Sequence, residues 1–155
     1  MLVNTEFQDV SNYSNIDFLK RDVRDLSEFG DKEFDVVHSN SLIEHISSIS
    51  EQKKLAEEIV RIGKHYFIQT PNYYFPFEPH FMFPFFQFLP HSKKVDMIMK
   101  KDLGWYKRET DLRKADELAS SVRLLKKKEL KKYFKGAKIY CEKYFLFTKS
   151  FIVYN

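Results

Sequence analysis

The stretch from Phe34 to His45, FDVVHSNSLIEH, constrains the fold of this chain more than any other. Phe34, Val36 and Val37 form a short apolar run that reads as a buried strand over Phe34–His38. The run stops in small polar residues, Ser39-Asn40-Ser41, and Glu44-His45 then opens a helix-like segment. In open α/β sheets, ligands lie outside the carboxyl ends of the strands, where polar residues of this kind end a buried run. The rest of the pattern agrees. Leu2–Phe7, Ile16–Leu19 and His65–Gln69 read as further strands. Ser48 and Glu51 have capping-box spacing, and Leu55, Ile59 and Ile62, with Ala56 and Val60, make a helical apolar stripe. Gly63 is placed to close that helix at the C′ position. Ser92–Lys101 and Leu124–Phe134 read as helices, and Gly136 as a stop. Ala137–Phe145 and Lys149–Tyr154 read as an antiparallel pair, with its turn at Phe147-Thr148-Lys149-Ser150. Alternating strands and helices predict a mostly parallel α/β sheet. With 155 residues, 43% of them hydrophobic, the chain is long enough for one domain with a real core.

Three segments carry a resemblance: Asp35–His45, Thr70-Pro71-Asn72 and Glu78-Pro79-His80. Together they resemble the class I S-adenosylmethionine-dependent methyltransferases of the small, stand-alone type 11 kind. The resemblance implies a Rossmann-like sheet ending in an antiparallel hairpin. That family normally opens with a strand and a glycine-rich turn that receives the cofactor, yet the first glycine here is Gly30. The chain therefore reads as a single incomplete domain, 1–155, whose first βα unit is missing. A Pro/Phe-rich acceptor-side insertion is expected at about 71–91. A sheet without its central strand leaves two neighbouring edges unpaired, so S-adenosylmethionine is expected to bind weakly or not at all, and an N-terminal extension to restore it.

The same resemblance assigns candidate residues. Glu6, at the end of the Leu2–Phe7 strand, would meet the ribose hydroxyls, since a carboxylate can accept both bonds of a cis-diol. Asp22 would meet the adenine amino group, with Val23 and Arg24 flanking the base. Ser39, Asn40 and Ser41 would lie beneath the methionine part of the cofactor. His45 would face the acceptor as a base. Each has an ordinary alternative: surface or turn carboxylates for Glu6 and Asp22, strand-end capping for Ser39–Ser41, and helix or loop capping for His45.

Composition shifts sharply after Thr70. All five prolines fall between Pro71 and Pro90, among seven phenylalanines and two tyrosines. Such a stretch is a loop packed as core, a wall for an apolar acceptor, or a patch facing a membrane or partner. Glu78 and His80 are its ionisable pair before His91, and so the candidates for acceptor positioning or proton removal; a satisfied buried pair is the alternative. Histidine spacing gives no metal-ligand doublet on a helix face, so no metal is expected. The lysines at 126–128 and 131–132 read as a solvated helix face, and a net charge of +4 is too small to argue nucleic acid. Lone Cys141 suits a reducing, cytoplasmic compartment, and no run is long enough for a membrane span. The expected function is methyl transfer from S-adenosylmethionine to a small or lipophilic acceptor, impaired by the missing unit. The alternative is a non-catalytic remnant that uses its Phe/Pro-rich segment as an interaction surface.

Overall fold

The computed structural model describes residues 1–155. The strands are β1 (Leu2–Asn4), β2 (Phe18–Lys20), β3 (Phe34–Asn40), β4 (Gly63–Pro71), β5 (Phe77–Glu78), β6 (Phe83–Pro84), β7 (Lys138–Tyr144) and β8 (Phe147–Tyr154). The α-helices are α1 (Ile49–Ile62), α2 (His91–Lys100), α3 (Leu112–Ser120) and α4 (Lys127–Tyr133). The main sheet has the order β3-β4-β8-β7. β3 and β4 run parallel, with Val37 opposite Tyr66 and Ser39 opposite Ile68. β8 is antiparallel to both of its neighbours. This is the Rossmann-like α/β arrangement with a terminal antiparallel hairpin that the sequence predicts.

The apolar stripe of α1 places Leu55, Ala56 and Ile59 on one face of the sheet. There they meet Tyr66 and Ile68 of β4, Phe151 and Val153 of β8, Leu130 of α4, and Phe134 just beyond it. On the opposite face Val36, Phe67 and Tyr140 stay exposed. β1 and β2 form a separate parallel pair. Between β1 and the free edge of β3 lies a mostly apolar cavity of about 180 Å³, lined by Leu2, Val3, Val36 and Val37 among others. No strand of these residues fills it, so β3 remains an unpaired edge.

A second core holds Phe81, Phe86, Val95, Ile98, Leu103, Ala115 and Ala119. Its segment leaves the sheet after Asn72 and returns at Leu125, where the two backbones form a parallel bridge. The Pro/Phe-rich stretch is thus the first part of a longer excursion that includes α2 and α3. Its aromatics divide their roles: Phe81 and Phe86 stack with centroids 4.2 Å apart inside the core, while Tyr74, Phe77 and Phe85 face solvent.

Several local expectations are corrected. Ser48 is the N-cap of α1, but its hydroxyl pairs with Ser50 rather than capping the helix. Glu51 is drawn away to Arg24, at 2.7 Å, so no capping box closes. Gly63 is not left-handed. It is extended (φ −96°) and already begins β4. Its lack of a side chain matters because a Cβ would stand 2.8 Å from both the His65 carbonyl oxygen and Val37 Cγ2. Glu44-His45 belongs to a short 3-10 turn, Ile43–His45, four residues before α1 starts. The hairpin turns at Phe145-Leu146, with Phe145 left-handed (φ 52°), so residues 147–150 lie in β8. α3 has no counterpart among the sequence expectations, because its buried side chains are only Ala115 and Ala119.

Candidate active site

The carboxyl ends of β3 and β4 open into a cavity of about 470 Å³, larger than those of about 270, 200 and 180 Å³ elsewhere in the chain. Ser41 and Gln69, next to one another at the end of the sheet, line it together with His45, His80, Phe77 and Trp105. The chain enters this region through a sharp turn, with Ser41 left-handed at φ 49°. The turn is held to β4 twice. Ser41 N–H donates to the Gln69 carbonyl (3.1 Å), and Ser41 Oγ donates to Gln69 Oε1 (3.0 Å). Ser39 is buried beside it, and its hydroxyl has no protein partner.

The 3-10 turn that follows is anchored by Gln52 of α1. Its amide donates to the carbonyls of Ile43 (3.1 Å) and Arg123 (3.0 Å). That anchoring fixes Glu44 inward and His45 outward. Glu44 is fully buried; Oε2 accepts from Thr70 Oγ1 at 2.8 Å, and Oε1 is unpartnered. Burial raises the Glu44 pKa above the usual carboxylate value, and its backbone N–H, then Thr70, offset this only in part. The His45 ring stands 4.8 Å from that of His80, nearly perpendicular to it. Burial, then the charge of His80, lowers the His45 pKa, which favours a neutral imidazole.

His80 is held from the other side. Its Nδ1 lies 2.7 Å from Glu78 Oε1, and Glu78 Oε2 accepts the Phe81 N–H at 2.6 Å. Because the carboxyl group accepts, Nδ1 carries the hydrogen and Nε2 of a neutral ring keeps a free lone pair. The fold brings His45, Glu78 and His80 together from separate segments, and these are the three residues the sequence marks for proton chemistry. It adds Glu44, Thr70, Gln69 and Trp105, to which the sequence reading gives no role. Thr70 has a signal in the Thr-Pro-Asn motif, and Glu44 in its adjacency to His45. Asn72 serves the backbone instead, donating to the Thr148 carbonyl at 2.7 Å.

The nucleoside-side candidates are more scattered. Glu6 is exposed two residues past the end of β1. Val23 packs against the main core and lines the cavity beside β3. Asp22 sits after β2, where its carboxylate accepts from Arg24 Nε at 2.9 Å; Arg24 reaches on to Glu51. The Arg24 bonds hold the Asp22 pKa down at about 2, from an ordinary 3.8. A depressed carboxylate contributes stability above its unfolded pKa and loses it as pH falls through the folded value. Acid titration of the wild type and Asp22→Asn is therefore expected to separate their unfolding midpoints above pH 4 and merge them toward pH 2. The effect is small, because the pair is partly exposed and solvent-screened. Equal midpoints across that window would show that the pair contributes nothing.

The cofactor implied by the sequence resemblance is S-adenosylmethionine. The Ser39 hydroxyl, buried without a partner at the end of β3, and the short side chains beside it fit its amino-acid end. No glycine-rich turn approaches this place: Gly30 precedes β3, Gly63 begins β4, and Gly104 and Gly136 lie later.

Residues 2–66 match the family model described as a methyltransferase domain. That match covers under half of the chain and takes in Asp35–His45, one of the three segments that carry the resemblance. No curated protein matches the chain. Among solved structures, it is similar to a SAM-dependent methyltransferase from Methanosarcina mazei: 12% identity, 88% of this chain and 65% of that one covered, TM-score 0.45. It is also similar to a possible exported protein from Bordetella parapertussis: 11% identity, 89% and 43% covered, TM-score 0.42. The chain thus spans less than two thirds of the length of either. No helix is long and apolar enough to cross a membrane.

Proposed function

We propose that this chain, matched over residues 2–66 to the methyltransferase domain family, moves a methyl group from S-adenosylmethionine to a small or lipophilic acceptor. One observation carries the acceptor side of this reading. The cavity of about 470 Å³ meets the polar end of β3 on one side and the His45–His80 pair on the other. S-adenosylmethionine supplies, when bound, an electrophilic methyl group on a sulfonium. Ser39, Asn40 and Ser41 hold its amino-acid end from the carboxyl end of β3. Glu6 and Asp22 stand past the ends of β1 and β2, on the nucleoside side. Phe77 and Trp105 give the cavity aromatic lining that suits a lipophilic acceptor. His80, its Nδ1–H given to Glu78, presents Nε2 as the group that takes the acceptor's proton. His45, its ring 4.8 Å from that of His80, stands next to it as the second proton acceptor.

Binding is weak in this reading, because no glycine-rich turn of these residues brings backbone close to the nucleoside. Calorimetry with S-adenosylhomocysteine tests it. The chain is expected to bind weakly, and Asp22→Ala to bind less. Micromolar affinity would refute the weak-binding claim, and no binding to the folded chain would refute the cofactor. The second reading, an interaction module without catalysis, rests on the exposed aromatics Tyr74, Phe77 and Phe85. It gains weight if the folded chain ignores the nucleoside.

A further inference from the structure

We infer that Glu44, His45 and His80 form a binding site for one divalent transition-metal ion, zinc foremost, with an open coordination position toward the large cavity. One ligand atom from each residue lies within 4.8 Å of the others. A tetrahedral zinc site with bonds near 2.0–2.2 Å separates its ligands by about 3.4 Å, so the triangle must contract by at most about 1.4 Å. His45 sits exposed on a short turn and supplies that movement.

Four features distinguish this cluster from a chance meeting of polar groups. Glu44 is fully buried with Oε1 unpartnered, an expensive state unless something positive or proton-donating meets it. The donor set, two imidazoles and one carboxylate, is a standard zinc combination that leaves a fourth position open. His80 already has the carboxylate–histidine arrangement of metal sites. Glu78 takes Nδ1–H, which orients the ring and leaves Nε2 as the ligand atom. Thr70 likewise holds the other oxygen of Glu44. Both His45 and His80 line the cavity, so the fourth ligand is water or an oxygen or nitrogen of whatever the cavity holds. Sequence spacing could not show this, because the ligands come from the turn after β3 and from the β5–β6 loop. The site shares the cavity of the acceptor reading but does not depend on methyl transfer; with a metal bound, His80 Nε2 and the His45 ring are ligands, and the metal's water or ligand replaces them as the group that handles the acceptor's proton.

Zinc titration of the tag-free chain by calorimetry, without nucleoside, tests the inference. One-to-one binding is expected, with Kd on the order of 1 μM or below. His45→Ala, His80→Ala and Glu44→Gln are each expected to weaken it at least about 10-fold. His91→Ala, at an exposed histidine paired with Asp116, leaves it unchanged. His45→Ala alters an exposed side chain, so its fold survives even if a buried variant fails. Cobalt should give a visible band of four-coordinate geometry without thiolate charge transfer. Absence of one-to-one binding, unchanged affinity in the His45→Ala/His80→Ala double variant, or a thiolate band from Cys141 would each overturn the site. Zinc binding without S-adenosylhomocysteine binding would leave the site standing and remove only the methyl-transfer reading.

Discussion

Gly104→Ala is expected to destabilise the protein by about 3 kcal/mol, which at this size lowers the melting temperature by roughly 6–12 °C. Gly104 is left-handed (φ 56°), a conformation that a side chain disfavours by about 1–2 kcal/mol. Steric overlap costs more than this strain. An added Cβ would stand 2.5 Å from the His80 carbonyl oxygen, 2.7 Å from Phe81 C and 2.9 Å from Met82 N. All three atoms are backbone, so no rotamer change relieves the overlap. Either Gly104 moves, with Leu103 of the second core beside it, or the His80–Met82 segment moves away. The second response shifts His80 off Glu78 and opens the histidine pair. Gly136→Ala is the matched control: φ is 80°, but nothing lies within 4 Å of the new Cβ. It is expected to show backbone strain alone, about 1 kcal/mol. Thermal unfolding by circular dichroism separates the two, and equal losses would mean that Gly104 is not in close contact.

The main sheet is legible in the sequence because its signals are local. Phe34–Val37 is an apolar run that ends in a polar stop, and α1 carries a full apolar stripe, so the strand and the helix both form. The expected burial of the strand does not follow: β3 is a sheet edge, Val36 is exposed and Ser39 is its one buried residue. Where two local signals compete, the tertiary partner wins. Glu51 has a capping position and an arginine within reach, and the ion pair with Arg24 takes it. Gly63 reads as a helix stop, yet the close approach of Val37 and the His65 carbonyl is what requires a glycine. α3 escapes because two alanines against a second core give almost no periodic signal. The candidate site is legible by residue type but not by geometry. Glu78 and His80, two apart in a stretch otherwise aromatic, can be paired by eye. That His45 meets them depends on the turn between β3 and α1, whose direction is set by Gln52 reaching Arg123, 71 residues away. No spacing rule encodes such a contact, which is also why the histidine count alone gives no metal pattern.

Glu78→Leu is expected to cost about 2–5 kcal/mol, whereas Glu78→Gln keeps the fold and disables the site. Glu78 is buried, and each carboxyl oxygen accepts one bond, from His80 Nδ1 and from the Phe81 N–H. Leucine fills similar space but accepts nothing, leaving two buried donors unpaired at roughly 1–3 kcal/mol each. Glutamine keeps the Phe81 bond through its oxygen and turns its amide N–H toward His80. Nδ1 must then accept, and the neutral imidazole carries its hydrogen on Nε2. That tautomer has no lone pair facing Glu44 and His45, so it can neither take an acceptor's proton nor bind a cation there. Unfolding midpoints should therefore separate leucine from glutamine and wild type. Zinc affinity should instead separate wild type from both variants, with glutamine about 10–100-fold weaker. A purely structural Glu78 would leave the glutamine variant near wild type in affinity as well as in stability. Nitrogen-15 chemical shifts of the His80 ring read the tautomer directly. An unchanged Nδ1–H form in Glu78→Gln would mean that Glu78 does not set which nitrogen of His80 is free.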